Sequence, residues 1–387
     1  MKRIITLLAV LLLVGVNLLA QETNPSRTQF MFRGYGQAGF DYMTSKNDTT
    51  ANFIGMGISP IFLIKHGDRF LFETEMELEL ENGELEVALE YADLMYTINN
   101  YLMIRAGKFL LPVGTFLERM HPAWINRLST KPLGLEDDGI APESDIGVEL
   151  RGAAPIGGTT INYSLFVTNG PSLRDGSEEP EEAGMLNFEN WIDNNNNKFV
   201  GGRIGFLPLY NSSMEIGWSF YTGKVGDKNS IYKDVNAFIW AADFSYVKQI
   251  SAIKGVLDIK GQYNNTKVSD AYYPVAGETR DTTDTYTFNN TSQSYYGQLS
   301  YRPSMASSKF LKNLEIVGRY CHVDTPKGAA WEYDRDELAF GLNYWISWRQ
   351  VVKLSYALKT DNPISTSPEG TAKLNTNAIY LHWAIGF

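Results

Sequence analysis

The sequence predicts an all-β chain closed into a transmembrane antiparallel β-barrel of about 16 strands, with one connection folded inward as a constriction. Three observations predict it. Apolar and polar residues alternate in segments long enough to cross a bilayer. Short and long connections segregate between alternate strand ends. The last residue, Phe387, closes an alternating strand. Successive strand residues point to opposite faces, so alternation gives one apolar and one wet face. A tilted strand needs only about 9–11 residues to span the hydrocarbon.

The clearest strand is RFLFETEMELEL at 69–80, with Glu73, Glu75, Glu77 and Glu79 opposite Phe72, Thr74, Met76, Leu78 and Leu80. The segment 84–97 repeats it, with Glu86 and Glu90 opposite Leu85, Val87, Leu89 and Tyr91. Later segments set Met214, Ile216, Trp218 and Phe220, then Leu314, Ile316 and Tyr320, then Leu338, Phe340, Leu342, Tyr344 and Ile346 on their apolar faces. The expected spans are 29–42, 51–64, 69–80, 84–98, 101–110, 145–153, 158–168, 198–207, 212–222, 235–248, 253–264, 292–302, 312–323, 334–347, 350–360 and 374–387.

Even-numbered strands are followed by short links such as 65–68, Asn99-Asn100, 155–158 and 348–350. Odd-numbered strands are mostly followed by long polar loops, at 43–50, 111–144, 169–197, 223–234, 265–291, 324–333 and 361–373; 81–83 is the exception. Outer-membrane barrels segregate their connections this way, and a soluble sandwich has no reason to. At the C-terminus Ile379, Leu381, Trp383, Ile385 and Phe387 share the lipid-facing parity, against Tyr380 and His382. That pattern resembles the assembly signal of outer-membrane barrel proteins, which implies the barrel-assembly machinery as a partner.

Residues 1–20 read as a signal peptide: Lys2 and Arg3 precede an apolar run ending at Ala20. The run is at the lower limit for a spanning anchor, the alternative. Residues 21–387 then form one barrel domain in the outer membrane of a Gram-negative bacterium, reached through the periplasm. The Asn-, Tyr- and Gly-rich chain suits a Bacteroidota-type organism. The full chain carries a formal net charge of −10, and removal of Lys2 and Arg3 makes it −12. This balance excludes nucleic acid as a main partner. The single cysteine, Cys321, excludes an internal disulfide framework and a cysteine-based metal site. No cofactor is expected. The aromatic content of 13% fits girdles at two membrane interfaces.

Sixteen strands leave an aqueous interior. The loop 111–144 is too apolar for a solvated connection, since Phe116, Leu117, Met120, Trp124, Ile125 and Leu128 ask for something to pack against. It is expected inside the barrel, offering Glu118, Arg119, His121, Arg127, Lys131, Glu136, Asp137 and Asp138 to a pore constriction. The wall would carry an acidic sector, Glu73, Glu75, Glu77, Glu79, Glu86 and Glu90. Basic sectors farther round would include Arg33, Arg105, Arg151, Arg203, Arg319 and Lys353, with Lys254, Lys260, Arg302 and Lys359 on the same parity. Such charges belong on a wet face, because facing lipid they are costly. Together they would set a transverse field.

The segment 88–114, with Ala92, the Asn99-Asn100 turn, Arg105, Gly107, Lys108, Phe109 and Pro112, resembles a hairpin of the phosphate-selective porin O/P-like family of outer-membrane porins. The resemblance implies a 16-stranded, homotrimeric porin passing small hydrophilic solutes, embedded in outer-membrane lipid. Its phosphate preference is not carried over, because six glutamates stand where a ladder of cations would be needed.

Two other functions compete. A barrel hydrolase needs a hydroxyl nucleophile beside a histidine and an orienting acid. Only His66, His121, His322 and His382 are available, with no G-x-S-x-G or H-E-x-x-H. The chain is therefore read as a non-enzyme. An adhesive barrel would use its long loops, best 169–197. There Asp193 to Asn197 offer oxygens but lack the rest of a calcium loop, so a flexible Asn-rich loop is expected.

Overall fold

Alternation dictates the wall, and the wall closes. A computed structural model describes residues 28–46, 48–81, 84–136, 139–189, 192–275, 284–364 and 373–387. The proposed signal peptide, Asp137 and Asp138 lie outside the described residues. The barrel strands are β1 (Thr28–Thr44), β2 (Thr49–His66), β3 (Phe70–Glu81), β4 (Glu84–Asn99), β5 (Leu102–Leu110), β6 (Ser144–Ile156) and β7 (Thr159–Thr168). Then come β10 (Phe199–Leu207), β11 (Met214–Lys224), β12 (Asn236–Ile250) and β13 (Gly255–Val268). The last five are β16 (Thr291–Arg302), β17 (Leu314–Asp324), β18 (Asp334–Ser347), β19 (Gln350–Asp361) and β20 (Leu374–Gly386). Two-residue strands pair within the long loops: β8 (Ser172–Leu173) with β9 (Leu186–Asn187), and β14 (Tyr273–Pro274) with β15 (Thr285–Tyr286).

Each barrel strand pairs antiparallel with its sequence neighbour, and β1 closes on β20 from Tyr35↔Gly386 to Thr44↔Asn377. Closure removes the sheet edge, which hydrocarbon does not tolerate. All sixteen expected strands are present, their ends displaced by four residues or fewer. The largest displacement is in β13, whose polar run Asn265-Thr266-Lys267 reads as loop but pairs with β12 as strand. Its inward side chains explain this: Asn264 donates to Ser294 Oγ at 3.1 Å, and Thr266 donates to the Ile140 carbonyl at 2.5 Å.

Apolar residues face outward as expected: Ile316, Phe340, Leu354 and Trp383 are 47–55% exposed, while their neighbours Val317, Ala339, Ser355 and His382 are buried inside. One side chain departs from the alternation. Tyr91 was expected on the lipid side but is buried inside, donating to Glu73 Oε1 at 3.0 Å. The cause is a β-bulge: Glu75 pairs with Tyr91 but Met76 pairs with Leu89, so Glu90 is the extra residue and the parity of β4 reverses beyond it. Lys254 was also expected on a strand; it sits in the β12–β13 turn with φ of +51°.

The loops at the long end are folded. Ala183, Tyr232, Tyr273, Phe288 and Ala329, from four connections, share one apolar cluster with Phe166, Phe199 and Tyr221 of the wall. Asp193 to Asn197 are held rather than flexible. Asn195 donates to the carbonyls of Lys224 and Gly226, and its own oxygen accepts from the Asn197 backbone. The Asp193 carboxylate likewise accepts from Asn195 N and Lys198 Nζ.

Candidate functional site: the barrel interior

The connection from β5 to β6 leaves the wall at Leu111 and lies inside the barrel. Its apolar residues have a prepared bed. Leu128 packs on Val317, Ala339, Ala357, Ala378 and Tyr380. Ala123 and Trp124 pack on Trp345, Val351 and Ala384. Phe116, Leu117, Leu133 and Leu135 meet Tyr296, Cys321 and Val323. The alanines at inward positions of β18–β20 leave room for the loop to approach. Each buried leucine or phenylalanine contributes about 1.5–3 kcal/mol.

Polar wall residues hold the backbone. Ser219 Oγ accepts from Gly114 N at 2.9 Å, and Gln262 Oε1 accepts from Thr115 N and Phe116 N at 2.8 and 3.0 Å. Arg319 donates to the Thr130 and Lys131 carbonyls and to Thr130 Oγ1. Asn343 donates to the Arg127 carbonyl, and Lys353 to those of Ala123 and Leu128 at 3.0 and 2.9 Å. Gly114 (φ +74°) and Gly134 (φ +77°) mark the tightest approaches, where a Cβ would fall 2.1 Å from Gln262 and 2.6 Å from Ser294.

The basic wall residues are matched by acids, of which only Glu118 was among the expected residues. Asp93, Arg105, Glu149, Arg151, Glu118, Arg119, Glu215, Arg203 and Asp243 form one chain alternating in sign from β4 across the loop to β12. Arg105 meets Glu149 at 2.6 Å, Arg151 meets Glu118 at 2.9 Å, and Arg119 meets Glu215 at 3.0 Å. Arg127 lies between Asp258 and Glu315 and over the Trp345 ring. Arg319 and Lys359 converge on Glu337. Parity alone would have found these acids: Glu149 and Arg151 share a face, as do Glu337 and Lys359 with their cross-strand partners. Arg33 stays exposed at the short-turn end.

Burial pushes the Glu118 carboxyl up, but Arg151 and Arg119 overcome this and hold it below the ordinary carboxylate range. Burial disfavours the His121 imidazolium, yet Glu75, 3.8 Å from Nε2, raises it above its ordinary value. Glu75 also accepts from Tyr35 OH at 2.6 Å. Glu136 is raised, chiefly by burial.

Glu73, Glu75, Glu77, Glu79, Glu86 and Glu90 of β3 and β4 share the inward side of the wall. A cavity of about 450 Å³ adjoins it, lined by Glu90, Lys108, Leu117, Glu136, Glu143 and Glu189 among others. It forms where β5 turns inward: β4 pairs with β5 only from Ala92 onward, while Glu84 to Tyr91 pair with β3 alone among the described residues.

These features place a folded loop and an asymmetric set of charges inside a closed sixteen-stranded wall. It is the porin fold. No family model matches the chain, and no curated protein matches it significantly. Solved structures do. The outer membrane channel DcaP of Acinetobacter baumannii aligns over 95% of this chain and 100% of its own, with 11% identity and a TM-score of 0.57. OmpF of Salmonella typhi, in complex with daunomycin, aligns over 94% and 100% with 13% identity and a TM-score of 0.56. An anion-selective porin from Comamonas acidovorans aligns over 93% and 100% with 12% identity and a TM-score of 0.55. At such identities the likeness concerns the porin fold alone.

The histidines do not assemble a hydrolase among the described residues. His382 and His322 pair with Asp41 and Asp336 at 2.6 and 3.0 Å, with no serine or threonine hydroxyl bonded to either ring. Thr28 meets His66 at 2.9 Å with no carboxylate on that ring. His322, Asp334 and Asp336 lie within metal-ligand reach of one another, but Tyr320 and Asn362 already donate to these carboxylates.

Proposed function

We propose that the chain is an outer-membrane porin, a water-filled channel for passive diffusion of small hydrophilic solutes and ions. The observation that carries this reading is the inward loop. Its backbone is pinned to wall side chains of β11, β13, β17, β18 and β19. A barrel serving only as an anchor has no need of such an inner structure. The loop narrows the interior, and Glu118, Arg119, His121, Arg127, Lys131 and Glu136 edge the passage, with Asp137 and Asp138 beside them in sequence. Within this proposal the chain belongs with the phosphate-selective porin O/P-like group but lacks its preference for phosphate. Export through the periplasm, insertion by the barrel-assembly machinery through the Ile379–Phe387 strand, and a homotrimeric state complete the reading.

Liposome swelling tests it. Vesicles holding the purified protein should swell in pentoses and amino acids and more slowly in larger oligosaccharides. Swelling no faster than protein-free vesicles would refute the channel.

A further inference from the structure

We propose that the passage selects for cations, through the glutamates that β3 and β4 present beside the inward loop. This rests on the channel reading above and assigns its solute class: small inorganic cations and organic solutes bearing an ammonium group.

Two independent observations carry it. The first is the register of the β3–β4 ladder, which sets like charges directly opposite each other. Glu79 faces Glu86, and Glu73 faces Asp93. Directly opposed like charges destabilise a sheet, so folding alone gives no reason for them. The Asp93 side chain is 2% exposed, and its Oδ1 has no hydrogen-bond partner. A buried carboxylate oxygen without a donor is rare and calls for a cation or a donor close by.

The second is how the positive charge is used. The inward cations Arg105, Arg119, Arg127, Arg151, Arg203 and Arg319 are each paired with carboxylates. Lys353 is committed to loop carbonyls. Of the basic residues expected on the wall, Arg33 is exposed at the short-turn end and Arg302 is committed to the Lys312 carbonyl and Asn313, so most of the inward positive charge is spent on pairing. Lys131, Lys108 and Arg105 act on Glu77, Glu90 and Glu73, three cations against the five carboxylates Glu73, Glu77, Glu79, Glu86 and Glu90, of which Glu77 and Glu90 are hydrogen-bonded to each other. A wet cleft lined by one sign of charge concentrates the opposite ion.

Reversal potentials in a KCl gradient across a planar bilayer provide the test, with the full-length wild type beside E79Q/E86Q and E77Q/E79Q/E86Q/E90Q. The wild type should favour potassium over chloride by roughly tenfold at low salt, less as screening shortens the field. The fourfold variant should conduct with the preference close to unity, and the double variant should fall between. Removing one opposed pair relieves repulsion, so the double variant folds even if the fourfold one does not. A conducting wild type that prefers chloride, or a preference unchanged in both variants, would overturn the proposal and leave the channel reading intact. Absence of any conductance would overturn both.

Discussion

Arg319 shows how far a single side chain can organise this interior. It is fully buried, paired with Glu337 at 2.8 Å, and donates three hydrogen bonds to the loop at Thr130 and Lys131. Breaking a buried pair on one side leaves an uncompensated charge. Arg319→Ala should therefore lower the unfolding free energy of the lipid-reconstituted barrel by about 3–5 kcal/mol, read by urea titration. Adding Glu337→Gln to that variant should recover part of the loss. His121 gives a pH signature. Its pKa is raised in the fold, so the stabilisation from the imidazolium beside Glu75 is complete below the ordinary histidine value of about 6.5. That stabilisation is lost as pH rises through the raised value. Limited proteolysis of the loop should accelerate across that window in the wild type. In His121→Gln it should be independent of pH there; an identical acceleration in the variant would remove His121 from the account.

At the scale of elements, the loop 111–144 and the last strand do separate work. Removing 116–138 should enlarge single-channel conductance, because this stretch carries the loop residues packed on β16–β20. Unchanged conductance would mean that the loop does not border the passage. Phe387 follows β20 directly; its N–H donates to the Gly34 carbonyl at 2.8 Å and its ring lies 5.6 Å from that of Phe32. Deleting Phe387 should reduce the yield of heat-modifiable, membrane-assembled barrel in cells with little change in synthesis. The strands were legible because alternation against lipid leaves little freedom of choice. The destination of the loop was legible from six apolar side chains in a connection that should have been polar. What could not be read was the bulge at Glu90, since an extra residue leaves no composition signal and moves Tyr91 inside. The partners of the basic wall residues were also unread. Glu149, Glu215 and Asp243 sit on the inward parity, but which arginine each meets depends on strand stagger and on the path of the loop.

For the whole molecule, the modest overall hydrophobicity is an average of two unlike faces. One is an apolar band toward lipid. The other is a polar interior in which arginines neutralise acids almost wherever the loop is docked. On β3 and β4 glutamates stand opposite acids, as Glu79 does opposite Glu86 and Glu73 opposite Asp93. Loops at the long end fold together against β7, β10, β11, β12 and β13, and Leu186, Phe188 and Glu189 of one of them line the cavity beside Glu90. Such a molecule should conduct. Planar-bilayer recording of the purified wild-type protein tests this most directly. Discrete, ohmic steps should appear, their size growing in proportion to salt concentration, as a water-filled passage requires. Membranes that stay silent at every protein dose, with the barrel shown to be inserted, would contradict it.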